Sequence, residues 1–343
     1  MEPTSIFFGR DQLPASRVGI GTWAIGGGWG PQPEERSLAA LCEAVECGCR
    51  LIDTAPLYGN GRAERLVARV LREQRAHVTV CTKVFPLAYQ WAPAAGTPIE
   101  QVFPPEHIIA QAETSLRRLR VECLDCLLMQ TWCPSWSDEL SWYHAMLLLQ
   151  QQGKIRSFGI SVSDHRPDEA NGVIEAGRVS ILEVPYSLLD QRAAARLFPV
   201  AQRCGVSVIA RSPLASGALA GRWHEGMRFH RQDWRKRVFR GEQLQRTLRR
   251  VELLKTLADP EMPLAHFALR FCLSHPAVSA AIVGVREASQ ARCDLAVLDQ
   301  PALPQETLAR IARLWEDELR FNVRTSIGEE GEGERRKANS HQP

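Results

Sequence analysis

The chain reads as an α/β protein, a closed (β/α)8 TIM barrel with an N-terminal β-hairpin and long loops on its active face. Three observations predict this. Eight short apolar runs alternate with longer amphipathic stretches of helical period. Several of those stretches end in a glycine just before the next apolar run, as a helix C-cap does. No G-x-G-x-x-G follows a strand, which argues against a doubly wound dinucleotide-binding sheet; Gly26-Gly27-Gly28 comes too early and is too plain to serve as one.

The eight predicted strands are 18–22, 50–54, 79–83, 126–130, 157–161, 181–184, 207–211 and 280–283. Between them, 33–48, 61–73, 105–119, 142–153 and 191–204 read as helices, with Gly48, Gly153, Gly177 and Gly205 at stops. Residues 5–17 form a short hairpin with its turn near Arg10-Asp11, placed to close the barrel floor. The spacing lengthens twice, over 86–105 and over 214–262, where long loops should lie on the active face. One domain spans 1–327. The segment 328–343 lacks large apolar residues and is expected to be disordered.

With 343 residues the chain can bury a large core. Its 45% hydrophobic and 24% charged content is ordinary for a globular protein, and a net charge of +3 is too small to indicate a nucleic-acid partner. No apolar stretch is long enough to span a bilayer, and the N-terminus has no signal-peptide pattern, so a cytoplasmic location is expected. Ten cysteines are scattered. Cys123 and Cys126 make one C-x-x-C and Cys47 and Cys49 one C-x-C, but no second pair completes a metal site, and reduced thiols are expected.

The chemistry-bearing residues are Asp53, Tyr58 and Lys83. Each motif ends an apolar run, so a carboxylate, a phenol and an amine meet where a barrel places its active site, at the C-terminal strand ends. A free phenol has a pKa of about 10. A nearby ammonium lowers it, which suits a proton donor, while a carboxylate holds the amine. The alternative is a strand-end salt bridge with a turn tyrosine nearby. Gln130, Ser161 and Arg211 also lie at or beyond strand ends.

At this point the chain resembles the aldo-keto reductase superfamily. The resemblance is carried by Gly19-Ile20-Gly21-Thr22-Trp23, by Asp53-Thr54-Ala55-Pro56-Leu57-Tyr58-Gly59, and by Thr82-Lys83. It continues in the segment from Gly153 to Ser161, in Pro185-Tyr186-Ser187-Leu188-Leu189 and in Ser212-Pro213-Leu214-Ala215-Ser216-Gly217. It covers about 8–314. It implies NADPH, with NADH possible, and carbonyl reduction with hydride from the nicotinamide and the proton from Tyr58. By the same resemblance Asp53, Tyr58, Lys83 and Gln130 are catalytic. Gly21, Thr22, Trp23, Asp53, Ser161, Glu183, Tyr186, Arg211, Ser212, Pro213, Leu214, Ser216, Gly284, Arg286, Gln290 and Asp294 bind the cofactor. Tyr186 is expected to stack on the nicotinamide, or else to be a core tyrosine at a strand end. Arg286 is expected to pair with a 2′-phosphate.

Several positions depart from the family pattern. Gln130 stands where a histidine is usual, and an amide can orient a carbonyl but cannot relay a proton. Val162 and Glu183 stand where Asn and Gln normally hold the carboxamide. Glu287 and Asp294 weaken the case for a 2′-phosphate. Ordinary carbonyl reduction, enone reduction, a biosynthetic tailoring step and a nucleotide-binding redox sensor all stay open. Trp23, Trp29, Tyr58, Trp91 and Trp132 are expected to line a pocket for a bulky or aromatic substrate. The basic, aromatic segment 228–240 reads as a solvated lid or as one closing over the cofactor phosphates. No metal, nucleic-acid or membrane partner is expected, and the oligomeric state is left open.

Overall fold

The structure, a computed structural model, describes residues 5–74, 77–87, 93–94, 96–163 and 166–320. Trp91 and the 328–343 tail lie outside the described residues. An antiparallel hairpin, β1 (Ser5–Phe8) and β2 (Leu13–Ser16), precedes the barrel strands. These are β3 (Val18–Gly21), β4 (Leu51–Asp53), β5 (Thr79–Val84), β6 (Leu124–Met129), β7 (Ile155–Ser161), β8 (Ile181–Pro185), β9 (Ser207–Arg211) and β10 (Val278–Gly284). All eight pair in parallel in chain order, and β10 closes on β3. Every predicted strand is present.

Side chains alternate across each strand, and this separates two cores. Leu51, Cys81, Cys126, Leu128, Ile181, Ile209, Ala280 and Ile282 fill the interior, sealed below by Phe8, Leu13 and Ala15 of the hairpin. Ile52, Val80, Leu127, Met129, Ile160, Leu182, Val184 and Val208 point outward to the helices. The helix starts and stops follow the sequence within two residues, and Gly48, Gly153, Gly177 and Gly205 all have the positive φ that a helix-ending glycine supplies.

The segment 214–262 differs from a plain loop. It contains a four-turn helix, Gly241–Lys255, whose apolar stripe buries Leu244, Val251 and Leu254. Its arginines mask that stripe when 214–262 is read as one long loop. Among the described residues no helix is long and apolar enough to cross a membrane. All ten cysteines are free.

Candidate active site

Inward alternation carries Asp53, Lys83, Ser161, Glu183 and Arg211 to inward positions at or near the C-terminal ends of their strands, one layer above the apolar interior. The ladder continues past the strand ends and fixes this layer. Thr22 N donates to Asp53 O at 2.9 Å, Gln130 N to Val84 O at 3.1 Å and Val162 N to Glu183 O at 2.9 Å.

Lys83 is the centre of the site and is 1% exposed. Its ammonium donates to Asp53 Oδ1 and, at 3.2 Å, to Thr54 O. Glu183 Oε2 stands 3.1 Å away. Glu183 Oε1 accepts from Ser161 Oγ at 3.4 Å and lies 3.7 Å from Arg211 Nε, while Arg211 also donates to Val162 O at 3.0 Å. Two buried carboxylates therefore share one ammonium. The second carboxylate is the relation that sequence reading missed, although Glu183 sits at an inward position of β8.

Tyr58 reaches this cluster from the turn after β4. Gly26 makes that possible: a Cβ there would stand 2.8 Å from the Tyr58 backbone carbonyl carbon, so only glycine lets the loop after β3 lie against the turn. The Trp23 ring packs edge-on to the phenol at 5.0 Å, and Lys83 Nζ lies 5.4 Å from the phenol ring centre. Asp53, Tyr58 and Lys83 thus come together.

The electrostatics depart from the expectation of a net-acidified phenol. Burial raises the Tyr58 phenol above its ordinary range; Lys83 pulls it down, but Asp53 and Glu183 push it further up. Burial, then the Glu183 carboxylate, push Asp53 up to about 8 against the pull of Lys83. Burial disfavours the Lys83 ammonium, yet Asp53 and Glu183 outweigh it and hold the amine well above the usual lysine range. The physical cause is a trio buried together with one cation and two anions.

The other predicted residues separate into groups. Gln130 is buried beside the site and its Oε1 has no hydrogen-bond partner; the same is true of Glu183 Oε2, for all its closeness to the ammonium. Gly21 pairs in register with Asp53 on one side and Gly284 on the other. After β9, Ser212, Ala215, Ser216 and Gly217 all have positive φ, and Pro213 and Leu214 lie inside this run. Left-handed turns of this kind make concavities lined by backbone N–H groups, which suit an anion. Non-glycine residues there carry strain of the sort found at ligand-binding loops. Asp294 is 6% exposed, and burial pushes it up to about 7 against the pull of Arg222.

Two placements bear on the cofactor expectations, Tyr186 taking the core position that the sequence left open. Tyr186 packs in the helix layer, stacked on Phe271 at 5.2 Å and edge-on to Phe198 at 4.9 Å. The reason is alternation: Glu183 faces inward, so Tyr186, three residues on, faces outward. Arg211 of the neighbouring strand faces the mouth instead. Arg286 donates to Gln32 Oε1 at 2.5 Å, Trp29 O at 2.7 Å and Pro31 O at 2.9 Å, and its own N–H is capped by Gln290 Oε1 at 2.8 Å. Its guanidinium is engaged with the loop after β3 through three of its five N–H donors, which leaves two for a phosphate.

Trp132 is 2% exposed and lies edge-on to Trp136 at 5.7 Å and Trp142 at 5.2 Å, behind the mouth. Trp29 carries the Arg235 guanidinium over its ring at 3.9 Å. Arg235 in turn is paired with Asp233 at 2.7 Å and donates to Ser216 O at 3.1 Å. Read from sequence as part of a solvated lid or of one closing over the cofactor phosphates, Arg235 is a largely buried clasp joining the loops after β3 and β9.

The buried unpartnered acceptors Gln130 Oε1 and Glu183 Oε2 and the left-handed run after β9 offer groups that fit a cofactor with an amide donor and an anionic portion. Comparison with known proteins gives the family. The Aldo/keto reductase family model matches residues 17–316. An NADH-specific methylglyoxal reductase of Escherichia coli (strain K12) is 33% identical over 224 residues, 62% of this chain and 68% of that protein. The glycerol dehydrogenase AKR11B4 from Gluconobacter oxydans superposes with a TM-score of 0.75 at 26% identity, covering 96% of this chain and 98% of that one. An aldo-keto reductase from Klebsiella pneumoniae in complex with NADPH gives 0.66 at 25% identity, covering 96% and 100%. The chain therefore belongs to the aldo/keto reductase family, and with it to the NAD(P)H-dependent oxidoreductases.

Proposed function

We infer that the protein reduces the carbonyl of a small, bulky or aromatic organic molecule, with NADPH as the preferred cofactor and NADH accepted. The observation that carries this reading is the meeting of Asp53, Tyr58 and Lys83 in one buried layer at the barrel mouth. NADPH, held by Ser161, Glu183, Arg211 and the 212–217 turn, would supply the hydride to the carbonyl carbon.

The chain's own residues do the rest. Tyr58 holds the proton and gives it to the carbonyl oxygen, acting as general acid. Lys83 stabilises the phenolate left behind, and Asp53 fixes Lys83 in place. Gln130 contributes its amide to orient the carbonyl and carries no proton of its own. Trp23, edge-on to the phenol, limits the water around it.

The test is label transfer. With NADPH deuterated at the transferring position and a panel of aldehydes, ketones, quinones and enones, deuterium should appear on the carbonyl carbon of an alcohol product. Label on a β-carbon would instead make the protein an enone reductase. A second reading, a nucleotide-binding redox sensor, is favoured by Gln130 and by Val162, a side chain that offers the carboxamide no hydrogen bond. Tight cofactor binding without turnover on any of these substrates would establish it.

A further inference from the structure

We propose that Glu183 is a positioning residue that competes with Tyr58 for the Lys83 ammonium and thereby sets the pH at which the phenol yields its proton. This rests on Tyr58 being the acid of the proposed reaction.

A lysine ammonium has three N–H donors. One goes to Asp53 Oδ1 and one to Thr54 O. The third is contested. Glu183 Oε2 lies 3.1 Å from Nζ, yet it is buried and receives no well-aligned hydrogen bond. The Tyr58 phenol neighbours the same ammonium, its ring centre 5.4 Å from Nζ. A carboxylate only 3% exposed draws that donor more strongly than a neutral amide would, and its charge opposes phenolate formation directly.

Among the described residues, the groups facing this cluster are few. From β4 comes Asp53, from β5 Lys83 and Cys81, from β8 Glu183 and from β9 Arg211. Gln130 and Ser161 beside them are neutral, as is Trp23 over the phenol. Arg211 meets the other oxygen of Glu183, Oε1, at 3.7 Å, so Glu183 spans two cations. Neutralising Glu183 leaves Lys83 and Arg211 against Asp53 alone, and the balance around Tyr58 turns positive.

The sign follows. Glu183→Gln keeps the size of the side chain and its bond with Ser161 but removes the charge, so the phenol should ionise at lower pH. Glu183→Met, neutral and similar in volume, should do the same if the glutamine variant folds poorly. The chain has only four tyrosines, so subtracting the absorbance titration of Tyr58→Phe isolates the Tyr58 phenolate in the cofactor-free protein. Both variants, shown to be folded by circular dichroism across the titration, are expected to ionise Tyr58 at least about one pH unit lower, a tenfold change in proton affinity. The alkaline fall of kcat for carbonyl reduction should move the same way. Folded variants with an unchanged or upward-shifted phenol titration would overturn the proposal. Turnover by Tyr58→Phe would instead overturn the catalytic reading and leave this titration result standing.

Discussion

Lys83 and Glu183 form an ion pair 3.1 Å apart, with side chains only 1% and 3% exposed, on strands that are not neighbours in the barrel. The pair crosses the barrel interior and joins two strand ends that the backbone ladder does not connect. Together with Asp53 it makes the site a buried cluster in which each charge depends on the others.

Lys83→Met tests that dependence. Removing the ammonium strands two buried carboxylates, which should cost about 3–5 kcal/mol of stability. The loss should grow with pH. Asp53 already titrates far above its unfolded value, at about 8. A group raised in the folded state stabilises fully below its unfolded pKa and loses that contribution as pH rises through the folded one. Denaturant midpoints of wild type and variant should therefore be closer at pH 5 than at pH 9.

Asp294 gives a simpler case. Burial pushes it up to about 7, so the folded protein holds its proton more tightly than the unfolded chain. Its contribution is fully present below about pH 4 and is lost as pH rises through about 7. In the cofactor-free protein, Asp294→Asn should match wild type at low pH and exceed it by about 2–4 kcal/mol at pH 8. Thermal or urea unfolding at the two pH values checks this.

Gly159→Ala probes the scaffold beneath the site. A Cβ at Gly159 would stand 1.9 Å from Ile181 O, and the two residues pair in register between β7 and β8. The strands must separate, which should cost more than about 3 kcal/mol. Ser161 and Glu183 lie two residues further along these strands, so cofactor affinity should fall with stability. A fully stable variant with normal cofactor binding would contradict this account of how Glu183 is held.

The barrel was legible in the sequence because each of its signals is local. Apolar runs, amphipathic periods and helix-ending glycines do not depend on distant partners, and Asp53, Tyr58 and Lys83 sit in motifs tied to strand ends. The placement of Tyr186 was also legible: three residues from an inward Glu183, it faces the helices, the core position that the sequence left open. What the sequence could not show depends on contacts across the barrel. The Glu183 grip on Lys83 spans 100 positions. The engagement of Arg286 by Gln32 and of Arg235 by Trp29 depends on how two loops meet. The helix Gly241–Lys255 was hidden by its own arginines.

If Tyr58 delivers the proton in carbonyl reduction, Tyr58→Phe must lose turnover and keep its cofactor. Substrate turnover and NADPH binding should be measured on the same preparation. The account predicts that kcat falls by about 10²–10⁴ while the Kd for NADPH stays within a few-fold of wild type. A variant that reduces its carbonyl substrate at the wild-type rate would contradict it.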